Sequence, residues 1–337
     1  MKQQLLGYCE TKSLHLMKEH DIKALDSIHI AFGLINDKGQ VYWEADRKAM
    51  ERIKGIKPNI QFILSIGGWA ADGFSQAAAT KEGRIELARS AVEILVKEEL
   101  DGLDLDWEYP CIGNDVIHAM PEDKENFTLL LAEFREQLSE LPTYKTLSIA
   151  AGGLDEYLEA TNMAEVVTYL DYVQLMTYDF HNGMSTMTGH LANLYPSKVE
   201  PDAPNSDYAV RRFVEEGVPM NKIVMGGTFY GRVWSGLENR NNGLGVTGYP
   251  EKHDFYRYNQ IVDLLQKDAT YKRYFDEEAK ACYLFNGDTF ITYEDEETLR
   301  YKTAYVKENG MYGMMFWEYE QDQTYTLTTV LKKGLEE

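Results

Sequence analysis

Cysteine, proline, long apolar runs and positive charge are all scarce in this chain of 337 residues, and each scarcity removes a class of protein. The three cysteines, Cys9, Cys111 and Cys282, are odd in number and irregularly spaced, which argues against a disulfide framework and against a paired-cysteine metal site. Free, buried thiols are the expectation. Only 9 prolines occur in a chain that is 44% hydrophobic, so it is not a disordered sequence and is long enough for one large core. No apolar run is long enough to span a bilayer, and the opening MKQQLLGYCE has no signal-peptide core. As it stands the sequence reads as cytoplasmic, or as secreted after loss of an export signal. Lys plus Arg number 34 against 55 Asp plus Glu, a net charge of -21 with no basic patch, so neither nucleic acid nor a membrane surface is an expected partner. No His, Cys or carboxylate cluster has metal-ligand spacing, and no Gly-rich dinucleotide or phosphate loop follows the first strand. Neither a metal nor a cofactor is expected.

What is present is a repeating beat. Short apolar runs, such as LLGYC, SIHIAFGLI at Ser27 to Ile35 and IQFILSIGG at Ile60 to Gly68, alternate with amphipathic helical patterns such as GRIELARSAVEILVKEE. The beat continues through GLDLDWE, TLSIAAG, YVQLMTYD at Tyr172 to Asp179 and KIVMGGTFYG at Lys222 to Gly231, and ends in GMYGMMFWEY, with helices between them, one of them near YLEATNMAEVVTYL. Near-continuous apolar strands separated by helices imply a parallel sheet covered on its faces, and eight such units imply an α/β chain closed as a (β/α)8 TIM barrel. One interval breaks the pattern. Between Gly231 and the last strand the sequence holds a helix, YNQIVDLLQK, and then ACYLFNGDTFITY, two β-patterned runs around Asn286-Gly287, a strong hairpin signal. Residues 233–295 are therefore expected to form a small α+β insertion between strand 7 and helix 7, rising beside the mouth of a barrel made of residues 1–232 and 296–337.

The stretch DGLDLDWEYP, Asp101 to Pro110, carries Asp104, Asp106 and Glu108 at every second position. On a strand these share one face, and Leu103, Leu105 and Trp107 share the other. Inside a barrel the acids would climb as a column toward the C-terminal rim, where this fold keeps its reactive groups, with Glu108 on top and Pro110 ending the strand. Stacked carboxyls in a poorly solvated interior cannot all stay ionised, so one of them holds a proton, and Glu108 is placed to act as a general acid.

DGLDLDWE also fits the DxxDxDxE signature of glycoside hydrolase family 18, the chitinases and related enzymes. The sequence resembles that family over nearly its whole length: SIGGW at Ser65 to Trp69, MTYD at Met176 to Asp179, FYGR at Phe229 to Arg232 and MFWEY at Met315 to Tyr319 look like its strand-end motifs in order. The insertion is similar to the α+β domain of its deep-cleft members. The resemblance implies a substrate of chitin or N-acetylglucosamine oligosaccharides, cleaved by a monomer. Glu108 would protonate the glycosidic oxygen, Asp106 would hold the N-acetyl group, and Asp104 would buffer Asp106 from beneath. Tyr178 would bond the acetamido carbonyl with Asp179 beside it, Met176 would pack against the sugar, and Trp317 would form an apolar floor. Tyr8, Phe32 and Trp69 would line the same pocket, with Tyr230 and Arg232 on its far side.

Plainer readings stand beside these. Met176 and Phe32 are as readily barrel filling, Gly67 and Gly68 permit a close loop, Asp101 is structural, and His181 is a lone histidine without a partner in the sequence. Three functions fit the resemblance: a chitinase, an endo-β-N-acetylglucosaminidase or cell-wall glucosaminidase, and a sugar-binding lectin on an inactive barrel. Relatives of the lectin type generally lack the acid, and Glu108 is present.

Overall fold

The computed structural model describes residues 2–337. Along the chain lie β1 (Gln4–Glu10), β2 (Ser27–Ile35) with a short antiparallel partner β3 (Val41–Tyr42), β4 (Gln61–Gly67), β5 (Gly102–Asp106), β6 (Thr146–Gly152), β7 (Tyr172–Met176) and β8 (Ile223–Thr228). A second group follows: β9 (Tyr230–Ser235), β10 (Tyr249–Arg257), β11 (Lys272–Asp276), β12 (Ala281–Phe285) and β13 (Phe290–Tyr293), before β14 (Gly313–Trp317). β1, β2, β4, β5, β6, β7, β8 and β14 pair in parallel, and β14 closes on β1. This is the eight-stranded (β/α)8 barrel that the alternation predicts.

Period two decides what lies inside. Ile28 and Ile30 on β2, Leu103 and Leu105 on β5, and Val173 and Leu175 on β7 join the large apolar cluster shared with the helices. Leu6, Tyr8, Tyr172, Met176, Val224 and Met315 form a separate cluster within the barrel. Each fully buried side chain of this kind contributes about 1.5–3 kcal/mol, and a one-residue slip of β5 would drive Asp104 and Asp106 into the apolar outer layer. The register that packs the barrel is thus also the register that builds the acid column.

The helices obey the same logic. Thr80 caps the helix Lys81–Lys97 by accepting the Gly83 N–H at 3.0 Å, and Leu87, Ala88, Ala91 and Leu95 bury one face of it. Phe127, Leu130, Leu131, Phe134 and Leu138 do so for the helix Asp123–Ser139. Trp107 stacks on Phe74 at 5.2 Å and meets the edge of Phe127 at 5.7 Å, which fixes the backbone next to Glu108. Among the described residues no helix is long and apolar enough to cross a membrane.

Three local expectations are corrected. The helix expected near YLEATNMAEVVTYL is two short ones, Asp155–Glu159 and Met163–Val166. Thr161 Oγ1 donates back to the Tyr157 carbonyl at 2.8 Å and Asn162 leaves helical geometry, the usual competition of such side chains with the helix ladder. β5 ends at Asp106, so Glu108 lies just beyond the strand and not on it. The run Lys222 to Gly231 is two strands, because pairing of β8 with β14 stops at Thr228 and from Tyr230 the chain pairs with β10 and β13 instead.

β9 to β13 form an antiparallel sheet in the order β10-β9-β13-β12-β11. Asn286 Oδ1 accepts the N–H groups of Asp288 and Thr289 at 3.0 and 2.7 Å, and Gly287 takes φ +103°, so this Asx turn makes β12 and β13 a hairpin. Val233, Cys282, Leu284 and Ile291 face the main core, while Trp234, Tyr283, Phe285 and Phe290 form a cluster on the opposite face.

Candidate active site

Asp104 sits fully buried at the foot of the column and is saturated with donors. Tyr8 Oη and Ser65 Oγ each donate to its Oδ2 at 2.8 Å, while Ser148 Oγ and Gln174 Nε2 donate to Oδ1 at 2.7 and 3.0 Å. His29 Nδ1 lies 3.8 Å from Oδ2. These five side chains come from inward positions on β1, β4, β6, β7 and β2. Burial pushes this carboxyl up, but the nearby His29 ring and the bonds from Ser148 and Ser65 outweigh it, and its pKa lies below the ordinary value.

Asp106, next up the column, is also buried, yet its Oδ1 has no hydrogen-bond partner among the described residues. Burial first, then the charges of Glu108 and Asp104, hold its carboxyl well above the usual range. Glu108 is pushed up to about 7 by burial, with the neighbouring Tyr109 hydroxyl opposing the effect and the charge of Asp179 adding to it. The upper column therefore retains protons near neutral pH. Its foot stays anionic.

Around the mouth, Trp317 at the end of β14 stacks on Phe32 at 5.4 Å and tilts against Tyr8 at 5.8 Å. Met176 packs in the inner cluster against which Tyr178 and Trp317 lie. Tyr178 meets Tyr230 edge-on at 6.4 Å. Asp179, at φ +57°, accepts a two-pronged bond from Arg232 at 2.9 and 2.8 Å, and that guanidinium lies 5.1 Å from the centre of the Tyr230 ring. The structure thus gathers Tyr8, Phe32, Met176, Tyr178, Asp179, Tyr230, Arg232 and Trp317 around the column. Trp69 stands apart, 66% exposed on the loop after β4. That loop needs its glycines: a Cβ on Gly67 (φ +113°) would fall 2.1 Å from the Asp106 carbonyl oxygen, and one on Gly68 (φ +91°) 2.6 Å from the Phe32 ring.

Sequence reasoning missed the polar side chains around Asp104: the donors Ser65, Ser148 and Gln174, and the nearby His29. Their signal was there, as single polar residues inside apolar strand runs, at inward positions. It also missed Leu191 and Ala192, which pack with Tyr230 against Tyr178 and Trp317 from the long loop after β7. Asp101 accepts the Phe62 N–H at 2.9 Å and pairs with Lys54 at 3.2 Å, a structural anchor. His181 lies 3.2 Å from the His190 carbonyl oxygen and 3.3 Å from Glu200. All three cysteines are free, with Cys9 and Cys282 buried.

A proton-bearing carboxyl at the lip of an aromatic-lined pocket, with an unpartnered carboxyl below it, is suited to acid catalysis on a neutral substrate that brings its own hydrogen-bonding group. The family model described as Glycosyl hydrolases family 18 matches residues 4–322. Chitinase A1 of Niallia circulans is 37% identical over 308 residues, covering 85% of this chain and 44% of that protein. Chitinase 1 of Aphanocladium album is 35% identical over 289 residues, covering 80% of this chain and 64% of that protein. The chain thus spans less than two thirds of either relative. Among solved structures, a glycoside hydrolase family 18 N-acetylglucosaminidase from Paenibacillus barengoltzii superposes with a TM-score of 0.94 at 41% identity, covering 98% of this chain and 99% of that one.

Proposed function

This chain belongs to glycosyl hydrolases family 18, and on that premise we propose that it cleaves β-1,4 bonds beside N-acetylglucosamine in chitin or its oligosaccharides, retaining the β-configuration with help from the substrate. The observation that carries this reading is the contrast between Glu108, which holds its proton to about pH 7, and Asp106, whose buried Oδ1 is unpartnered. Glu108 is the proton donor. Asp106 awaits a group that the protein does not supply.

In this mechanism the sugar at the scissile bond lies on Trp317, whose ring offers a broad apolar face to its C–H groups. Glu108 donates its proton to the glycosidic oxygen as that bond breaks. The 2-acetamido oxygen of the same sugar attacks the anomeric carbon from the opposite face, giving an oxazolinium ion, so no carboxylate nucleophile is needed. Substrate entering the site displaces the Asp106 proton to solvent, so that the ionised carboxylate accepts the acetamido N–H and balances the positive charge, while the Tyr178 hydroxyl orients the carbonyl. Water then opens the ion from the leaving-group side, with Glu108 as base. The sheet carrying Tyr230 and Arg232 forms one wall of the cleft. NMR of fresh product tests this: β-anomers should appear first, and oligosaccharides lacking the N-acetyl group at the scissile unit should resist cleavage. Initial α-anomers would sink the mechanism.

A second reading differs only in product. The nearly full-length likeness to a structure described as an N-acetylglucosaminidase supports release of single N-acetylglucosamine units rather than longer fragments. Product profiles on oligomers of increasing length separate the two.

A further inference from the structure

Lys302 belongs to the helix Glu296–Glu308, where an amphipathic pattern would place a lysine in water, yet it is 1% exposed. Its Nζ lies 2.9 Å from Glu294 Oε1, itself buried, and donates to the carbonyl oxygens of Gly226 and Thr177 at 3.1 and 3.4 Å. Glu294 in turn accepts the Thr228 N–H at 2.8 Å. Burial favours the neutral form of both partners, and each is the other's foremost opposing influence.

The two carbonyls are not arbitrary. Pairing of β7 with β8 ends at Leu175↔Met225, so the carbonyls of Thr177 and Gly226 lie just past the ladder and need other donors. Thr177 Oγ1 donates to the Gly226 carbonyl at 2.8 Å and accepts the Gly226 N–H at 3.0 Å, which locks the two backbones together. Tyr178 follows at once. Its ring rests on Gly226, where a Cβ would lie 2.9 Å from Cε1. Replacing a buried ion pair with apolar groups is often neutral or stabilising, so stability alone is a weak reason for this one.

We propose that Lys302, held in place by Glu294, is a positioning residue for Tyr178, fixing through the Thr177 and Gly226 carbonyls where the phenol meets the substrate. The proposal rests on the reading that Tyr178 orients the acetamido group. Lys302→Met removes the charge at similar length. With an acetylated chitooligosaccharide it should lower kcat roughly 10–100-fold with little change in KM, the scale expected of a small misplacement near the reacting atoms. Should that variant not fold, Lys302→Met/Glu294→Gln leaves no uncompensated charge and carries the same expectation.

The deciding readout is a double-mutant cycle with Tyr178→Phe. If Lys302 acts through Tyr178, then Tyr178→Phe adds little once Lys302 is replaced. If Tyr178→Phe is harmful by itself and the two losses multiply, or if Lys302→Met keeps its kcat, the positioning role is overturned while the reading of Tyr178 stands. If Tyr178→Phe alone is harmless, that reading fails and takes the proposal with it.

Discussion

Asp104 and Asp106, the foot of the acid column and the carboxyl above it, use the same chemistry on the same face of β5, yet they hold opposite charge states. Around Asp104 four donors from four strands lie within 3.0 Å, and the carboxyl stays ionised despite complete burial. Two residues further on, Asp106 is as buried but has an open oxygen, and its pKa rises. Burial does not set the sign of the shift; the supply of donors does. The barrel spends its inward polar positions on the foot of the column, and its top is left for a ligand to complete.

The comparison is broken most severely at the top. Glu108→Gln should lower kcat on chitooligosaccharides about 10²–10⁴-fold while binding persists; a folded variant with undiminished turnover would refute the assignment. The same variant has a second readout. The folded state holds the Glu108 proton to about pH 7, whereas an unfolded chain releases it near 4.5, so stability falls as pH rises between those values and the penalty is complete above pH 7. Glu108→Gln removes that penalty, and its melting temperature should exceed that of the wild type at pH 8 but not at pH 4, by an amount worth on the order of 3 kcal/mol. Equal melting temperatures at pH 8 would mean that Glu108 is not held protonated.

Asp106→Asn keeps the shape and removes the capacity to ionise against the developing positive charge, and should cost about 10²-fold in kcat, as loss of one transition-state stabiliser commonly does. Retained activity would show that the open oxygen has no electrostatic task. Wild-type kcat/KM should fall about tenfold per pH unit above 7, as Glu108 loses its proton; a flat profile to pH 9 would contradict the assignment. Tyr8→Phe probes the foot of the column. Removing one donor of four should cost about tenfold in rate, the scale of a hydrogen bond to a charged group, and a loss as large as that of Asp106→Asn would erase the distinction between Asp104 and Asp106. Trp69→Ala, at the exposed rim, should raise KM a few-fold and leave kcat unchanged, which oligosaccharide kinetics can check.

Much of this was legible in the sequence, for identifiable reasons. The barrel was visible because apolar strands buried on both faces make unbroken runs, and DGLDLDWE was visible because it interrupts one of those runs with strict alternation. The β12 and β13 hairpin declared itself through Asn286-Gly287. The polar side chains around Asp104 went unread because a single Ser or Gln in an apolar strand is too common to weigh; only closure of the barrel aims His29, Ser65, Ser148 and Gln174 at one point. Lys302 escaped for a similar reason, since a lysine on an amphipathic helix reads as solvated. The end of β5 at Asp106 and the break at Phe229 depend on where neighbouring strands stop, which no local pattern encodes.

β9 and β13, by which the chain leaves the barrel and returns to it, are hydrogen-bonded neighbours in the middle of the second sheet, and β10 and β11 are outermost. The whole extra sheet therefore occupies on the barrel rim the width of one hairpin. Strands can be added or lost at either outer edge without altering the circumference of the barrel or the span between Phe229 and Glu294. The height of the rim is thus set by loops and outer edges, and the chemistry of the pit beneath it by individual inward side chains.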